Sequence, residues 1–122
     1  MYKPYHLIGL ELGVSVASVG LRREATGAAT GFRGDVVATA KRDLKAGETL
    51  DGEGGYTVYG KLMPATDSLA CGALPLGLAH DVKLARAVAK GNVVTWNDVA
   101  AIASDAALFR RKMEQAFNKR RT

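Results

Sequence analysis

Three side chains near the N-terminus are of types that can carry out acid–base chemistry: Tyr5, His6 and Glu11. On a helix or a turn, the imidazole of His6 and the carboxylate of Glu11 could approach each other. A histidine with a carboxylate partner can transfer protons or hold a substrate hydroxyl. The alternative, which the sequence favours, is that these residues only hold the N-terminal segment against the body of the protein.

Other reactive residue types do not form a recognised site. The run Gly52-Glu53-Gly54-Gly55 suggests a dinucleotide loop, but the third glycine of that motif would fall on Thr57, and no long helix follows. His6 and His80 lack metal-ligand spacing. Cys71 is the single cysteine, and its apolar neighbours predict a small buried packing residue. We therefore expect no cofactor, metal or nucleophile site within this chain.

The distribution of charge limits the possible partners. Residues 1–104 contain 11 Lys/Arg and 10 Asp/Glu, whereas residues 105–122 contain 6 and 2. A basic excess confined to one end argues against a nucleic-acid partner. The apolar run Leu7–Leu21 is interrupted by Glu11 and is short for a membrane span. Arg22 and Arg23 follow it where a signal peptide has small residues. We predict a cytoplasmic protein without membrane contact.

Two turn units repeat along the chain at an offset of 44 residues. Each unit has a short strand, an apolar residue, a glycine turn and a return strand. Neither unit alone can cover its apolar face, so two copies packed about an approximate two-fold axis are expected to cover each other. The equivalent pairs are Arg42 and Arg86, Leu44 and Val88, Gly47 and Gly91, and Leu50 and Val94.

The remaining patterns predict a mainly β protein with flanking helices, of α+β class. Residues 1–34 form an N-terminal segment and linker, in which Ser15 caps a short helix. Residues 35–103 form the body, with strands at 36–40 and 56–59, a bent buried segment at 69–78, and capping-box spacing from Thr95 to Asp98. Residues 104–122 form a basic amphipathic helix capped by Ser104. Its apolar stripe, predicted to make core or interface contacts, comprises Ala106, Phe109, Met113, Ala116 and Phe117.

The turn units also carry a resemblance to a known family. The segments 37–50, 74–80 and 88–94 resemble those of SAF domains, which have the β-clip fold. Three further segments, 5–11, 50–60 and the helix 109–114, are similar to the C-terminal part of homoserine-dehydrogenase-like NAD(P)-dependent oxidoreductases. That group includes enzymes similar to deoxyxylulose-phosphate reductoisomerase. The resemblance covers nearly the whole chain, but the family's N-terminal Rossmann domain has no counterpart in it.

This resemblance implies an accessory role. The chain would be the SAF-domain portion of an oxidoreductase, would cover the substrate site or support oligomerisation, and would not be catalytic alone. Tyr5, His6 and Glu11 would face the substrate site. NAD(P)H would bind the parent enzyme's Rossmann domain or subunit, which would be the partner, with a homo-oligomer as a further expectation. Two alternatives stay open: a free-standing SAF module that binds carbohydrate or protein, and a flagellar or pilus assembly protein of the same fold.

Overall fold

The computed structural model describes residues 4–118. They form a small α+β protein with three α-helices and two antiparallel sheets of two strands each. The α+β class is confirmed, but the four short strands make the described residues mixed rather than mainly β. The chain divides into two compact units, Met1–Gly31 and Phe32–Thr122. In chain order the elements are α1 (Ile8–Ala17), a π-helical segment (Ser18–Arg22), β1 (Gly34–Ala40), β2 (Thr49–Asp51), β3 (Val58–Pro64), α2 (Ala65–Cys71), a 3-10 turn (Leu76–Leu78), β4 (His80–Lys83), a second 3-10 turn (Trp96–Asp98) and α3 (Asp105–Asn118).

The first unit is built around one helical segment. α1 begins directly after Leu7, whose carbonyl accepts a hydrogen bond from Glu11 N at 2.9 Å. Glu11 suits the first turn because a carboxylate there lies near the positive end of the helix dipole. The π-helical segment then ends at Arg23 in the left-handed conformation, with φ at 55°. Ser15 was expected to cap this helix, and that expectation is wrong because the apolar residues before it extend the helix by two turns.

The second unit packs its core between short strands. β1 and β3 pair antiparallel, with Ala40 opposite Val58, and β2 pairs with β4, with Leu50 opposite Val82. Leu50 and Leu74 are among the largest side chains that are fully buried. The run of β-branched and small residues in β1 suits this position, since the strand is covered on both faces along its second half.

The predicted repeat is present in the hydrogen bonds of the second unit. Leu44 and Val88 exchange both backbone hydrogen bonds, at 2.8 and 3.0 Å, as residues on either side of a two-fold axis do. Gly47 and Gly91 both adopt positive φ, at 84° and 82°, which glycine adopts without steric cost. The other bonds recur at the same offset: Gly47 N to the Leu84 carbonyl with Gly91 N to the Ala40 carbonyl, and Ala40 N to the Asn92 carbonyl with Leu84 N to the Glu48 carbonyl.

Residues 69–78 differ in part from the prediction. Their first residues belong to α2, which was not predicted, and Pro64 occupies the position before its first residue. The chain then turns at Gly72, with φ at 65°, and only after it becomes the bent buried segment that was expected. A helix this short does not show a periodic apolar pattern that would predict it. Its start signals in the sequence are Pro64 and the acidic first-turn residue Asp67.

Both predicted caps are present. The Ser104 hydroxyl accepts a hydrogen bond from Ala107 N at 3.2 Å at the start of α3. The carboxylate of Asp98 accepts from Thr95 N at 2.9 Å, which completes a capping box over the second 3-10 turn. The basic residues 119–121, which were expected to suit the helix end, lie outside the described residues.

The face by which α3 packs differs from the predicted stripe. Buried or nearly buried positions on this helix are Ala107, Arg110 and Glu114, whose spacing places them on one face. Of the predicted stripe, Met113 and Phe117 are partly buried, and the other members are exposed: Ala106, Phe109 and Ala116. The core half of the prediction is therefore wrong for Ala106, Phe109 and Ala116, whereas the interface half stays a prediction. α3 is held mainly through charged groups, together with a contact between the rings of Phe117 and Phe32, whose centroids are 5.8 Å apart.

Candidate functional site

The predicted pairing of His6 with Glu11 is present in the first unit. His6 Nδ1 lies 3.2 Å from Glu11 Oε2, within hydrogen-bonding distance. Helix α1 positions the carboxylate in its first turn, while the residues before the helix bring the imidazole back over it. Tyr5 directly precedes His6 in the sequence, and its side chain is exposed. A histidine held by a carboxylate has a fixed ring orientation and can act as a proton donor or acceptor.

Helix α1, which carries Glu11, is apolar around most of its circumference, and Glu11 and Ser15 share the remaining side. Its exposed large side chains include Leu12, which is 61% exposed, and no residue of α1 is buried. An isolated surface helix normally has one apolar face and one polar face, whereas a helix that is apolar all round is normally enclosed by protein. The exposed aliphatic side chains along the two helical segments are Ile8, Leu10, Leu12, Val14, Val16, Val19 and Leu21.

The end of this helical segment is held by Ser18. The Ser18 hydroxyl donates to the Glu24 carbonyl at 3.0 Å and accepts from Arg22 Nη2 at 3.1 Å. Ser18 is the one described residue of the first unit that is buried. π-Helical turns are frequent at functional sites, which makes this segment a candidate functional region.

The glycine-rich loop of the second unit does not fit a dinucleotide. The carboxylate of Asp51 accepts hydrogen bonds from the backbone N–H groups of Tyr56 and Thr57. A dinucleotide phosphate would need these same donors, which Asp51 already occupies. Burial alone would raise the pKa of Asp51, but the Thr57 hydroxyl and these N–H groups stabilise the carboxylate and lower the pKa to about 2 from 3.8. A Cβ at Gly55 would lie 2.1 Å from the carboxyl carbon, so only glycine fits there.

Neither the second histidine nor the cysteine joins a site. His80 Nδ1 lies 3.2 Å from the Asp51 carbonyl, and its ring is exposed. Cys71 was expected to be buried, and that expectation is wrong: it is exposed at the end of α2, directly before Gly72 in the left-handed conformation. Within residues 4–118, no group of three or more His, Cys, Asp or Glu side chains could hold a metal ion. No helix in the same range is long and apolar enough to cross a membrane.

A buried ionic cluster, which the sequence did not reveal, holds α3 against the body. Arg110 Nη1 donates to Asp35 Oδ1 at 3.1 Å, and Arg110 Nε donates to Glu114 Oε1 at 2.8 Å. The exposed fractions of the three side chains are 12% for Arg110, 6% for Asp35 and 10% for Glu114. The Arg110 guanidinium also stacks over the Phe32 ring at 4.9 Å. The signal in the sequence that could have indicated part of the cluster is the four-residue spacing of Arg110 and Glu114.

Hydrogen-bond donors of the body complete the cluster. The Ser68 hydroxyl donates to Asp35, and Trp96 Nε1 donates to Glu114 at 3.1 Å. Burial alone would raise the pKa of Asp35, but Arg110 and Ser68 outweigh burial, and the pKa lies below its usual 3.8. Each carboxylate is thus satisfied by several donors, as buried charges must be. Nε, Nη1 and Nη2 of Arg110 each donate to one of the two carboxylates, so the cluster serves to dock α3 on the body.

No protein-family model matches the chain. No curated protein matches it at a significant level either.

Proposed function

We propose that this chain is the C-terminal SAF-domain portion of a cytoplasmic NAD(P)-dependent oxidoreductase of the homoserine-dehydrogenase-like group. In this proposal the chain covers the substrate site or supports oligomerisation, and a Rossmann domain or subunit binds NAD(P)H. The activity rests on the sequence resemblance. The SAF part is supported by the two turn units, whose hydrogen bonds recur at one offset around Leu44 and Val88.

The observation that carries the proposal is the apolar surface of α1. Side chains such as Leu12 and Leu21 are exposed on several faces of the helix. Burying one such side chain stabilises a protein by about 1.5–3 kcal/mol. Seven exposed aliphatic side chains on two short helical segments are therefore a strong driving force for enclosure by a partner. A free-standing binding module has no need of this segment.

The same enclosure gives His6 and Glu11 a role. A partner that surrounds α1 would also remove water from the pair at its first turn, and an ion pair or hydrogen bond strengthens in a medium of low dielectric constant. In this proposal the pair faces the substrate, where His6 holds or protonates a substrate oxygen and Glu11 fixes the imidazole. Tyr5 supplies a hydroxyl nearby.

The experiment begins with the neighbouring DNA. A reading frame directly upstream that encodes a Rossmann domain would be co-expressed with this chain, and the complex would be isolated. We expect NADPH-dependent reduction of a carbonyl substrate by the complex, no NADPH binding by this chain alone, and slow amide hydrogen exchange in α1 only in the complex. The absence of such a frame, or micromolar NADPH binding by the chain alone, would contradict the proposal.

Matched substitutions identify the surface involved. Leu12→Glu places a charge on α1 and should prevent complex formation. Leu108→Glu, at a side chain that is 60% exposed on α3, makes the same change at similar exposure and should leave the complex intact. Equal effects of the two variants would remove α1 from the interface. In the active complex, His6→Gln should lower kcat by about 100-fold, a usual contribution of a general acid or base.

A further inference from the structure

We propose that the outer edge of β3 binds an extended, acidic segment of another protein, which adds to the sheet as a further strand. β3 pairs with β1 in a register that stays regular over seven residue pairs. The opposite edge of β1 is already occupied, since Ala38 N and Ala40 N donate to the carbonyls of Leu74 and Asn92 at 2.9 Å. This inference does not rest on the proposed function, since β3 lies in the second unit and α1 in the first.

The pairing with β1 fixes which backbone groups of β3 point outward. The ladder is closed at its two ends by bonds from Lys41 N to the Thr57 carbonyl and from Ala65 N to the Arg33 carbonyl, both 2.9 Å long. Residues of an antiparallel pair alternate between those that exchange hydrogen bonds across the pair and those that do not. The odd-numbered residues of β3 therefore bond to β1, and the even-numbered residues direct their N–H and C=O groups to the outer edge.

Gly60 and Leu62 carry the outward groups that water can reach. Both residues are exposed, whereas Val58 is fully buried and Pro64 has no N–H. Within residues 4–118, the N–H and C=O groups of Gly60 and Leu62 have no hydrogen-bond partner. Donors and acceptors that recur at every second residue along a strand match those of another extended chain, which is how peptides add to a sheet edge.

A groove at the end of this edge indicates the chemistry of the partner. Its volume is about 360 Å³, and its lining residues are Arg33, Gly34, Leu62, Met63 and Pro64. Arg33 is exposed, and its side chain forms no ion pair or hydrogen bond within the described part of the chain. Lys61, the one charged residue of β3, is exposed as well. A guanidinium binds a carboxylate through two hydrogen bonds, so the added strand carries a carboxylate where it passes this groove.

The first test uses short synthetic peptides and the full chain. Peptides of alternating valine and threonine are made with or without a terminal glutamate, and with a free or an amidated C-terminus, and are titrated by fluorescence polarisation. Peptides with a carboxylate should bind at least about tenfold more tightly than the neutral amidated peptide. An advantage of the glutamate assigns the carboxylate to a side chain, and an advantage of the free C-terminus assigns it to a chain end. Equal binding of all peptides, or none, would overturn the proposal.

Matched variants locate the binding site. Arg33→Gln should weaken binding of the acidic peptide at least about tenfold, whereas Lys83→Gln, which removes an exposed charge from β4 of the other sheet, should have little effect. Leu62→Pro removes an outward N–H that the ladder with β1 does not use, and proline is tolerated at such a position of an edge strand. Because Leu62→Val keeps that N–H, it should bind the peptide at least about threefold more tightly than Leu62→Pro. Equal binding within either pair of variants would contradict the assignment.

Amide hydrogen exchange of the full chain separates strand addition from other modes of binding. In the free chain, the N–H groups of Gly60 and Leu62 should exchange faster than those of Tyr59 and Lys61, which bond to β1. The bound peptide should slow exchange at Gly60 and Leu62. Peptide binding without this change would overturn the proposal. Slower exchange at Gly60 and Leu62 as the concentration of the chain alone rises would also overturn it, since the occupant would then be a second copy.

Discussion

Replacing Arg110 with methionine tests the ionic docking of α3 most directly. The methionine side chain keeps the aliphatic stem against the Phe32 ring, which the guanidinium now covers at 4.9 Å. It removes the cation that lies between Asp35 and Glu114. Both carboxylates would then lie against the body without the charge that compensates their burial.

The expected cost follows from what remains. Removing one partner of a buried ion pair typically destabilises a protein by about 3–5 kcal/mol. Ser68 still donates to Asp35, and Trp96 and Arg111 still donate to Glu114, so neither carboxylate loses every donor. We therefore expect a cost near the lower end, about 3 kcal/mol, in the free energy that holds α3 on the body.

The assay uses the single tryptophan of the chain. Trp96 donates to Glu114 on α3, so its fluorescence reports whether this helix is docked. Urea unfolding followed by fluorescence gives the free energy, and amide hydrogen exchange in α3 shows whether the helix separates before the body unfolds. Arg111→Met is the matched control: Arg111 is 54% exposed and bonds the same carboxylate, and its guanidinium lies 4.9 Å from the centroid of the Trp96 ring. Loss of this pair, whose cation is largely in water, should cost about 1 kcal/mol, and each variant's fluorescence is referred to its own folded baseline.

Two results would refute this reasoning. One is a cost for Arg110→Met that does not exceed the cost for Arg111→Met. The other is unchanged hydrogen exchange in α3, which would mean that apolar contacts hold the helix without the ionic cluster. A double-mutant cycle that combines Arg110→Met with Asp35→Asn gives the coupling free energy between these two side chains. This coupling should be a large share of the cost of Arg110→Met alone.

The pH dependence has a defined sign. Burial opposes ionisation of Asp35, but Arg110 and Ser68 hold its folded pKa below 3.8. A carboxyl whose pKa is lower in the folded state stabilises the protein above the unfolded pKa, and this contribution is lost as pH falls toward the folded value. We expect α3 to stay docked at neutral pH and to loosen only below about pH 4. Loosening near pH 6 would contradict this assignment.

Three further outcomes are expected in urea unfolding. Gly47→Ala and Gly91→Ala should each destabilise the protein by about 1–2 kcal/mol, because both need positive φ at equivalent turns, whereas Gly77→Ala should have little effect. Thr39→Val should be neutral or stabilising by up to about 1 kcal/mol, because the buried Thr39 hydroxyl makes no hydrogen bond within the described residues. Asp51→Ala should cost about 1–2 kcal/mol above pH 4 and less as pH falls toward 2, where the native carboxylate is protonated.

The body was the most predictable part because its signals are repeated. Gly47 and Gly91 mark two turns of one design, and an offset shared by several residue pairs is stronger evidence than one turn alone. Two of the three predicted caps, at Ser104 and Thr95, are present, since each needs only neighbours within three residues to form its bonds. The pairing of His6 with Glu11 was also accessible for this reason, because both lie at the start of one helix.

The features that the sequence did not predict depend on distant residues, or lie in segments too short to show a periodic apolar pattern. α2 is only seven residues long, too short for an apolar pattern to emerge. Cys71 sits among apolar neighbours in the sequence, but the end of α2 turns it outward. Ser15 is a residue type that often caps helices, yet α1 begins seven residues before it. The preference of serine for a helix start is weak, and the packing context of the apolar residues 8–14 overrides it.

The ionic docking of one face of α3 explains why its apolar face is exposed. A helix that packed through its apolar stripe would place Arg110 in water and leave Asp35 buried on β1 without a cation. That arrangement costs more than exposing one aromatic side chain, because an unpaired buried charge costs several kcal/mol and an exposed Phe109 forgoes about 1.5–3 kcal/mol. Asp35 therefore sets the rotation of a helix that begins 70 residues later. The apolar pattern on α3 is real, but the residue that decides which side packs inward lies outside any local window.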